Sequence, residues 1–301
     1  MKLVTYQENG LDHVGLLTQN DREIIPVAEA ERCLLGTTVI PDTMLDIIKE
    51  EAQVLPVLQV LQQKFAGSSC ETVSVDRVKL LAPIPRPNKN IFCVGLNYHD
   101  HIKESGKVFD KSKLPKVPVI FSKVPTTVTG PDSYVKRFHD LVSQLDYEVE
   151  LAVIIGKQGM GIKAEVAYEH VFGYTILNDV SARNLQSQHV QWLMGKSCDT
   201  FAPMGPCIVH KSAISRPEEL DIQCKINGEI RQNSNTRQMI FDIPTIIETI
   251  SSVITLEPGD IIATGTPAGV GMGFNPPKYL KSGDVMELEI SEIGVLRNTI
   301  E

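Results

Sequence analysis

Apolar residues recur at alternate positions in several short runs of the chain, the period of a half-buried strand. Residues 3–6, 14–17 and 24–27 form three such runs, with Asn9-Gly10 and Asn20-Asp21 between them, so an antiparallel meander is predicted. Continuous apolar runs at 91–95, 119–123, 151–155 and 171–177 read as buried strands. Residues 220–226 and 229–232 flank Asn227-Gly228 as a hairpin. Helical spacing is rarer. After a cap at Asp42-Thr43, the residues Leu45, Ile48, Ala52 and Leu55 form an apolar stripe, which Pro56 should interrupt before 58–65 continues it. A second helix is predicted from Asp242 to about Val253, with Pro244 in its first turn and Ile243, Ile246, Ile247 and Ile250 facing the core. Strands predominate and βαβ alternation is missing, so the predicted class is α+β, predominantly β. Prolines at 83, 85 and 87 enforce an extended connector, dividing a small N-terminal α+β module, 1–80, from a mixed β-roll or β-sandwich catalytic domain, 81–301.

The 301 residues are 42% hydrophobic and 22% charged, a globular composition. A net charge of −8 without any basic segment argues against nucleic acid and anionic membrane surfaces as partners. Neither a membrane-spanning run nor the apolar core of a signal peptide is visible, which makes the cytoplasm the expected location. The six cysteines lack a C-x-x-C pair and read as small buried hydrophobes, with Cys198 as a candidate reactive thiol because Lys196 is near it in sequence. In the module, His13 and the acids read as surface, and no chemistry is visible.

Chemistry gathers around Asp146, Glu148 and Glu150, which lead into the apolar run 151–155. On a strand Glu148 and Glu150 share a face about 7 Å apart, which is unfavourable next to a core unless a cation lies between them. The alternative is the solvated face of an ordinary amphipathic strand. Asp179, at the end of the buried run 171–177, favours the first reading, because three carboxylates without His or Cys suit Mg²⁺ or Mn²⁺, with Ca²⁺ also compatible. If the chain turns helical at Asn97, His101 and Glu104 share a face at the i, i+3 spacing, where a carboxylate can orient an imidazole. Residues 105–118 are polar and weakly patterned, as a mobile lid would be. A helix starting near Ser181 would keep Arg183 and Gln186 on the metal side. Lys196, in a loop between Gly195 and Ser197, can approach an anion closely. The glycine-rich run 264–273 has no phosphate-loop signature and reads as a backbone-rich wall, with Thr266 donating to a substrate carboxylate.

These segments, Asp146 to Leu151, Gly173 to Arg183 with Gln186, Gly195-Lys196-Ser197 with Asp199 and Phe201, and Thr264-Gly265-Thr266-Pro267 with Gly269-Val270, resemble in order the motifs of the fumarylacetoacetate hydrolase family. The resemblance implies a homodimer in which Glu148, Glu150 and Asp179 hold the metal. His101, Glu104 and Lys196 would be catalytic, and Arg183, Gln186, Lys196 and Thr266 would bind substrate. It implies cleavage of a C–C bond in a small 2-oxo acid, with oxaloacetate decarboxylation first and acylpyruvate hydrolysis as the alternative; isomerase or hydratase chemistry is a more distant option. Asn97 stands where the namesake hydrolase contributes a further Asp to its metal site, and Asn184 and Cys198 also depart from the usual pattern. A reading of another class is a regulatory protein with a structural metal site, whose unidentified protein partner docks on residues 1–80.

Overall fold

The computed structural model describes residues 1–65, 70–105 and 115–301. Its larger sheet has twelve strands. Along the main path the order is Val73–Ser74, Glu23–Pro26, Leu11–Leu17, Lys2–Glu8, Ala202–His210, Val171–Asn178, Val149–Ile155, Ile261–Ala263, Ile91–Gly95 and Val119–Lys123. A five-stranded sheet, Glu229–Asn235, Asp221–Ile226, Val285–Ile290, Gly294–Ile300 and Tyr134–Val135, packs against it. The fold is thus mixed α and β with open sheets, as the strand-rich pattern predicts.

Side-chain alternation places the core. On the strand Val149–Ile155, the residues Val149, Leu151, Val153 and Ile155 point between the two sheets, into a cluster with Ile222, Cys224, Met286 and Leu288. Ala152 and Ile154 point the other way, into a second cluster with Ile47, Ile48, Val54 and Leu58 of the N-terminal helices. Glu150 has the parity of that second set. Two apolar layers therefore sandwich the strand that carries the acids, and none of the three acids is on a solvated face.

The N-terminal meander forms as expected, Leu3 pairing with Leu16 and Leu16 with Ile25. It continues the large sheet, because Lys2 and Leu3 pair with Val209 and Ile208, so segment 1–80 is continuous in backbone hydrogen bonding with the rest. The helix Val27–Leu35, ended by Gly36 at φ +67°, is not anticipated by the sequence reading, its apolar stripe being short and interrupted by charge. Glu31 on it is fully buried, contrary to the expectation of surface acids: its carboxylate accepts from Thr37 Oγ1 at 2.7 Å, Val39 N at 2.6 Å and Ile40 N at 2.9 Å.

Thr43 caps the next helix, Met44–Lys49, as predicted. The break then falls at Glu50 and not at Pro56, which lies inside the helix Glu51–Lys64. Pro56 and Ala52, whose carbonyl loses its helical donor, are both exposed, so water can replace the lost bond. The buried stripe is Met44, Ile47, Ile48, Val54, Leu58 and Leu61, whereas Leu45 and Leu55 are half-buried and Ala52 is exposed. Cys33 and Cys70 form a disulfide, correcting the reading of all six cysteines as unpaired; their 37-residue separation carries no pairing signal. Cys93, Cys207 and Cys224 are buried thiols. Among the described residues no helix is long and apolar enough to cross a membrane.

Candidate metal centre and active site

The antiparallel pair Val149–Ile155 and Val171–Asn178 places the acids. Val149 is opposite Asn178, so the chain leaves one strand at Asp179 just where it enters the other from Glu148, and Asp179 N donates to the Glu148 carbonyl at 2.9 Å. One ligand atom from each of Glu148, Glu150 and Asp179 lies within 4.8 Å of the others. All three residues are buried.

Cations surround this cluster unevenly. Glu148 accepts from Arg183 Nη2 at 2.6 Å and from Lys196 Nζ at 2.8 Å. Asp179 accepts from Lys196 Nζ at 2.7 Å and from Lys123 Nζ at 2.6 Å. Among the described residues Glu150 accepts from the Gly265 backbone N–H alone, at 2.9 Å. Burial, together with the charges of Asp179 and Glu148, pushes the Glu150 carboxyl well above the ordinary carboxylate range. Burial would also raise Glu148, but Lys196, Arg183 and His101 outweigh it and hold that carboxyl far below its usual value. Burial would lower the Lys196 ammonium, yet Asp179 and Glu148 keep it above the ordinary lysine value. With Asp146, whose Oδ2 accepts from Arg183 Nε at 2.9 Å, four buried carboxylates face three buried cations. Glu150 is the acid whose ionisation these cations do not offset, and an all-oxygen set of this kind fits a hard divalent ion.

The helix His99–Ser105 brings His101 to the same cavity, starting two residues after the Asn97 expected. The His101 ring is 3.4 Å from Glu104 through Nδ1, and Glu104 accepts from Gly269 N at 3.0 and 3.1 Å. Arg183 and Gln186 are on the helix Arg183–Gln188, as the expected helix near Ser181 would place them, joined by a 3.1 Å bond from Nη1 to Oε1. Thr266 lines the cavity, its hydroxyl accepting from Gln232 Nε2 at 2.8 Å and so left with its own proton to donate. The cavity holds about 400 Å³ and is also lined by Gln144, Phe121, Trp192, Met272 and Tyr279.

Several expectations need correction. Lys196 ends a short helix, Leu193–Lys196, and not a loop, and is only 2% exposed. Its ammonium is turned into the carboxylates, so it does not activate Cys198, whose thiol is pushed up by burial. Asn97, at the position of the namesake's extra Asp, is a buried strut: it donates to the carbonyls of Phe241 and Thr264 at 3.0 and 2.7 Å and accepts from Phe241 N at 2.8 Å. The expected lid, 105–118, lies mostly outside the described residues.

One charged site residue, Lys123, escaped the sequence reading, and Asp146, read there with the other acids, has a role that the reading did not assign. Lys123 reads as the last residue of a strand, but it is fully buried against Asp179. A cation closing an otherwise apolar run was the available signal. Asp146 accepts from Gly271 N at 2.6 Å and Met272 N at 3.1 Å, tying Arg183 to the glycine-rich wall.

The model of the fumarylacetoacetate (FAA) hydrolase C-terminal domain matches residues 90–301. Over its whole length the chain is 47% identical to the oxaloacetate tautomerase YisK of Bacillus subtilis, also covered entirely. The solved fumarylacetoacetate hydrolase from psychrophilic Exiguobacterium antarcticum is 40% identical, with a TM-score of 0.83 over 100% of this chain and 99% of that one. A maleylpyruvate hydrolase from Sphingobium sp. SYK-6, solved with manganese(II) and pyruvate, is 28% identical with a TM-score of 0.76, covering 100% of this chain and 98% of that one. The chain belongs to the fumarylacetoacetate hydrolase family of enzymes.

Proposed function

We propose that the protein is a divalent-metal-dependent enzyme acting on a small 2-oxo acid through its enolate, with keto–enol interconversion of oxaloacetate as its first reaction. The observation that carries this reading is that His101, held by Glu104, faces the same cavity as Glu148 and Glu150, with Asp179 grouped beside those two acids and Lys196 in direct contact with Glu148 and Asp179. The name of the Bacillus relative moves tautomerisation ahead of the decarboxylation that the family resemblance alone suggests.

Glu148, Glu150 and Asp179 would hold Mg²⁺ or Mn²⁺. When bound, the ion supplies Lewis-acid stabilisation of negative charge developing on the substrate's C2 oxygen. His101 takes the proton from C3 or returns it, and Glu104 keeps the imidazole turned toward that carbon. Lys196 and Arg183 place positive charge beside the substrate's anionic end, and Thr266 donates to its C1 carboxylate. The apolar wall keeps water from the enolate.

The test follows loss of the oxaloacetate enol and appearance of pyruvate separately, with chelator and after adding back Mg²⁺ or Mn²⁺. Chelator-sensitive enol loss that outpaces pyruvate formation is the expected result. Pyruvate formed at the same rate would assign decarboxylation, and turnover confined to a panel of acylpyruvates would assign hydrolysis. If nothing above the spontaneous rate responds to metal, the proposal is wrong.

A further inference from the structure

We infer that the same cavity accepts 2-oxo acids with a planar apolar substituent on C3, arylpyruvates being the simplest, and that Phe121 and Trp192 determine this specificity. The inference rests on the enolate reading above and extends its substrate class. A cavity of about 400 Å³ falls within the ~300–1,000 Å³ range that buries drug-sized ligands, and a four-carbon acid leaves much of it unfilled.

The unfilled part is aromatic and close to the chemistry. The Phe121 ring centroid is 5.2 Å from Lys196 Nζ, which itself contacts Glu148 and Asp179 at 2.8 and 2.7 Å. A group on C3 of a substrate held at those carboxylates would therefore reach the ring. Trp192 meets Phe121 edge-on, with centroids 5.3 Å apart and planes at 67°. The indole lies against Gly95, where a Cβ would come within 2.7 Å of the ring, so only glycine leaves it that place. Val94 and Met272 complete an apolar slot. Flat rings fill such a slot in edge-on or offset contact.

Charge points the same way. Arg183 is engaged by Asp146, Glu148 and Gln186, and Lys196 by Glu148 and Asp179. A second carboxylate, as in oxaloacetate, would have to share Arg183 or Lys196 with these acids, whereas a neutral ring needs no cation. A monoanionic 2-oxo acid with a neutral ring satisfies both shape and charge. The reaction is unchanged: the enol O–H bond breaks, a C3–H bond forms, and the ring is only held.

Trp192 is the chain's single tryptophan, so its fluorescence reads the slot directly, without turnover. In the metal-loaded protein, 3-phenyllactate should quench it saturably at concentrations about tenfold or more below those needed with lactate, the scale on which a filled apolar pocket discriminates. Enol phenylpyruvate should be converted to the keto form. Trp192→Ala and Phe121→Leu should each lower kcat/KM for phenylpyruvate about tenfold more than for oxaloacetate, a ratio independent of how much of each variant folds. The inference is overturned if the protein converts oxaloacetate but not phenylpyruvate, or if both variants affect the two substrates equally. If neither substrate is converted while 3-phenyllactate still binds more tightly than lactate, the enolate reading fails and the aromatic slot stands.

Discussion

Glu104 spans two elements: one carboxylate group receives the Gly269 backbone N–H at 3.0 and 3.1 Å and faces the His101 ring at 3.4 Å. The helix carrying His101 is thereby latched to the glycine-rich wall, and Gly273 leaves the room for it, since a Cβ there would fall 1.9 Å from Glu104 Oε1. His101→Ala should lower kcat by about 10²-fold or more, the scale for a positioned acid or base, while metal affinity measured by titration stays nearly constant. Glu104→Gln should be milder and largely silent in the His101→Ala background. Gly273→Ala should resemble Glu104→Gln, because the flexible carboxylate and not the backbone gives way. An undiminished kcat in Gly273→Ala would remove the latch from the mechanism.

Of the four clustered carboxylates, Glu150 is the one with no cation in contact among the described residues. Glu150→Gln should weaken divalent-metal binding and at the same time raise the melting temperature of the metal-free protein at neutral pH, because it removes a buried carboxyl that ionises more readily in the unfolded than in the folded chain. Glu148→Gln should weaken metal binding too, but it takes an anionic partner from both Arg183 and Lys196, leaving them Asp146 and Asp179, and should lower the melting temperature. Opposite thermal shifts with a common loss of metal affinity are the expected signature; calorimetric scans of both variants in chelator test it.

Lys123 and Lys196 share Asp179, yet only Lys196 lines the cavity. Lys123→Met should cost about 3–5 kcal/mol, the usual scale for stranding one partner of a buried ion pair. Lys196→Met removes a cation that contacts two of the three proposed ligands, so metal should bind more tightly even as kcat falls. Tighter metal binding with a lower rate would separate the two lysines, and equal behaviour would merge their roles.

Much of this arrangement was legible in the sequence because it depends on period and order. The acids Glu148, Glu150 and Asp179 could be placed together from two buried runs and the strand repeat alone, and the hairpin at Asn227-Gly228 and the Asp242 cap follow from local chemistry. What local pattern could not supply was partnership across distance. Nothing near Lys123 announces Asp179, 56 residues away, nor does anything near Cys33 announce Cys70. Asn97 reads in sequence only as a departure from the namesake's metal site, because its partners in the strut, Phe241 and Thr264, are more than 140 positions downstream.

Glu31 gives the N-terminal segment a pH dependence of its own. Burial would raise its carboxyl, but the Thr37 hydroxyl and the Val39 and Ile40 amides outweigh burial and bring the pKa below the ordinary value. A carboxyl held lower in the folded than in the unfolded chain binds fewer protons when folded, so its stabilisation is complete above the unfolded pKa of roughly 4.3 and is lost as pH falls through the folded value. Glu31→Gln should therefore lower the melting temperature at pH 7 and change it progressively less as the pH is taken below about 4. Hydrogen exchange at the Val39 and Ile40 amides should accelerate in the variant at neutral pH. If the loss caused by Glu31→Gln is as large in acid as at neutral pH, the three donors hold the side chain by shape and not by charge.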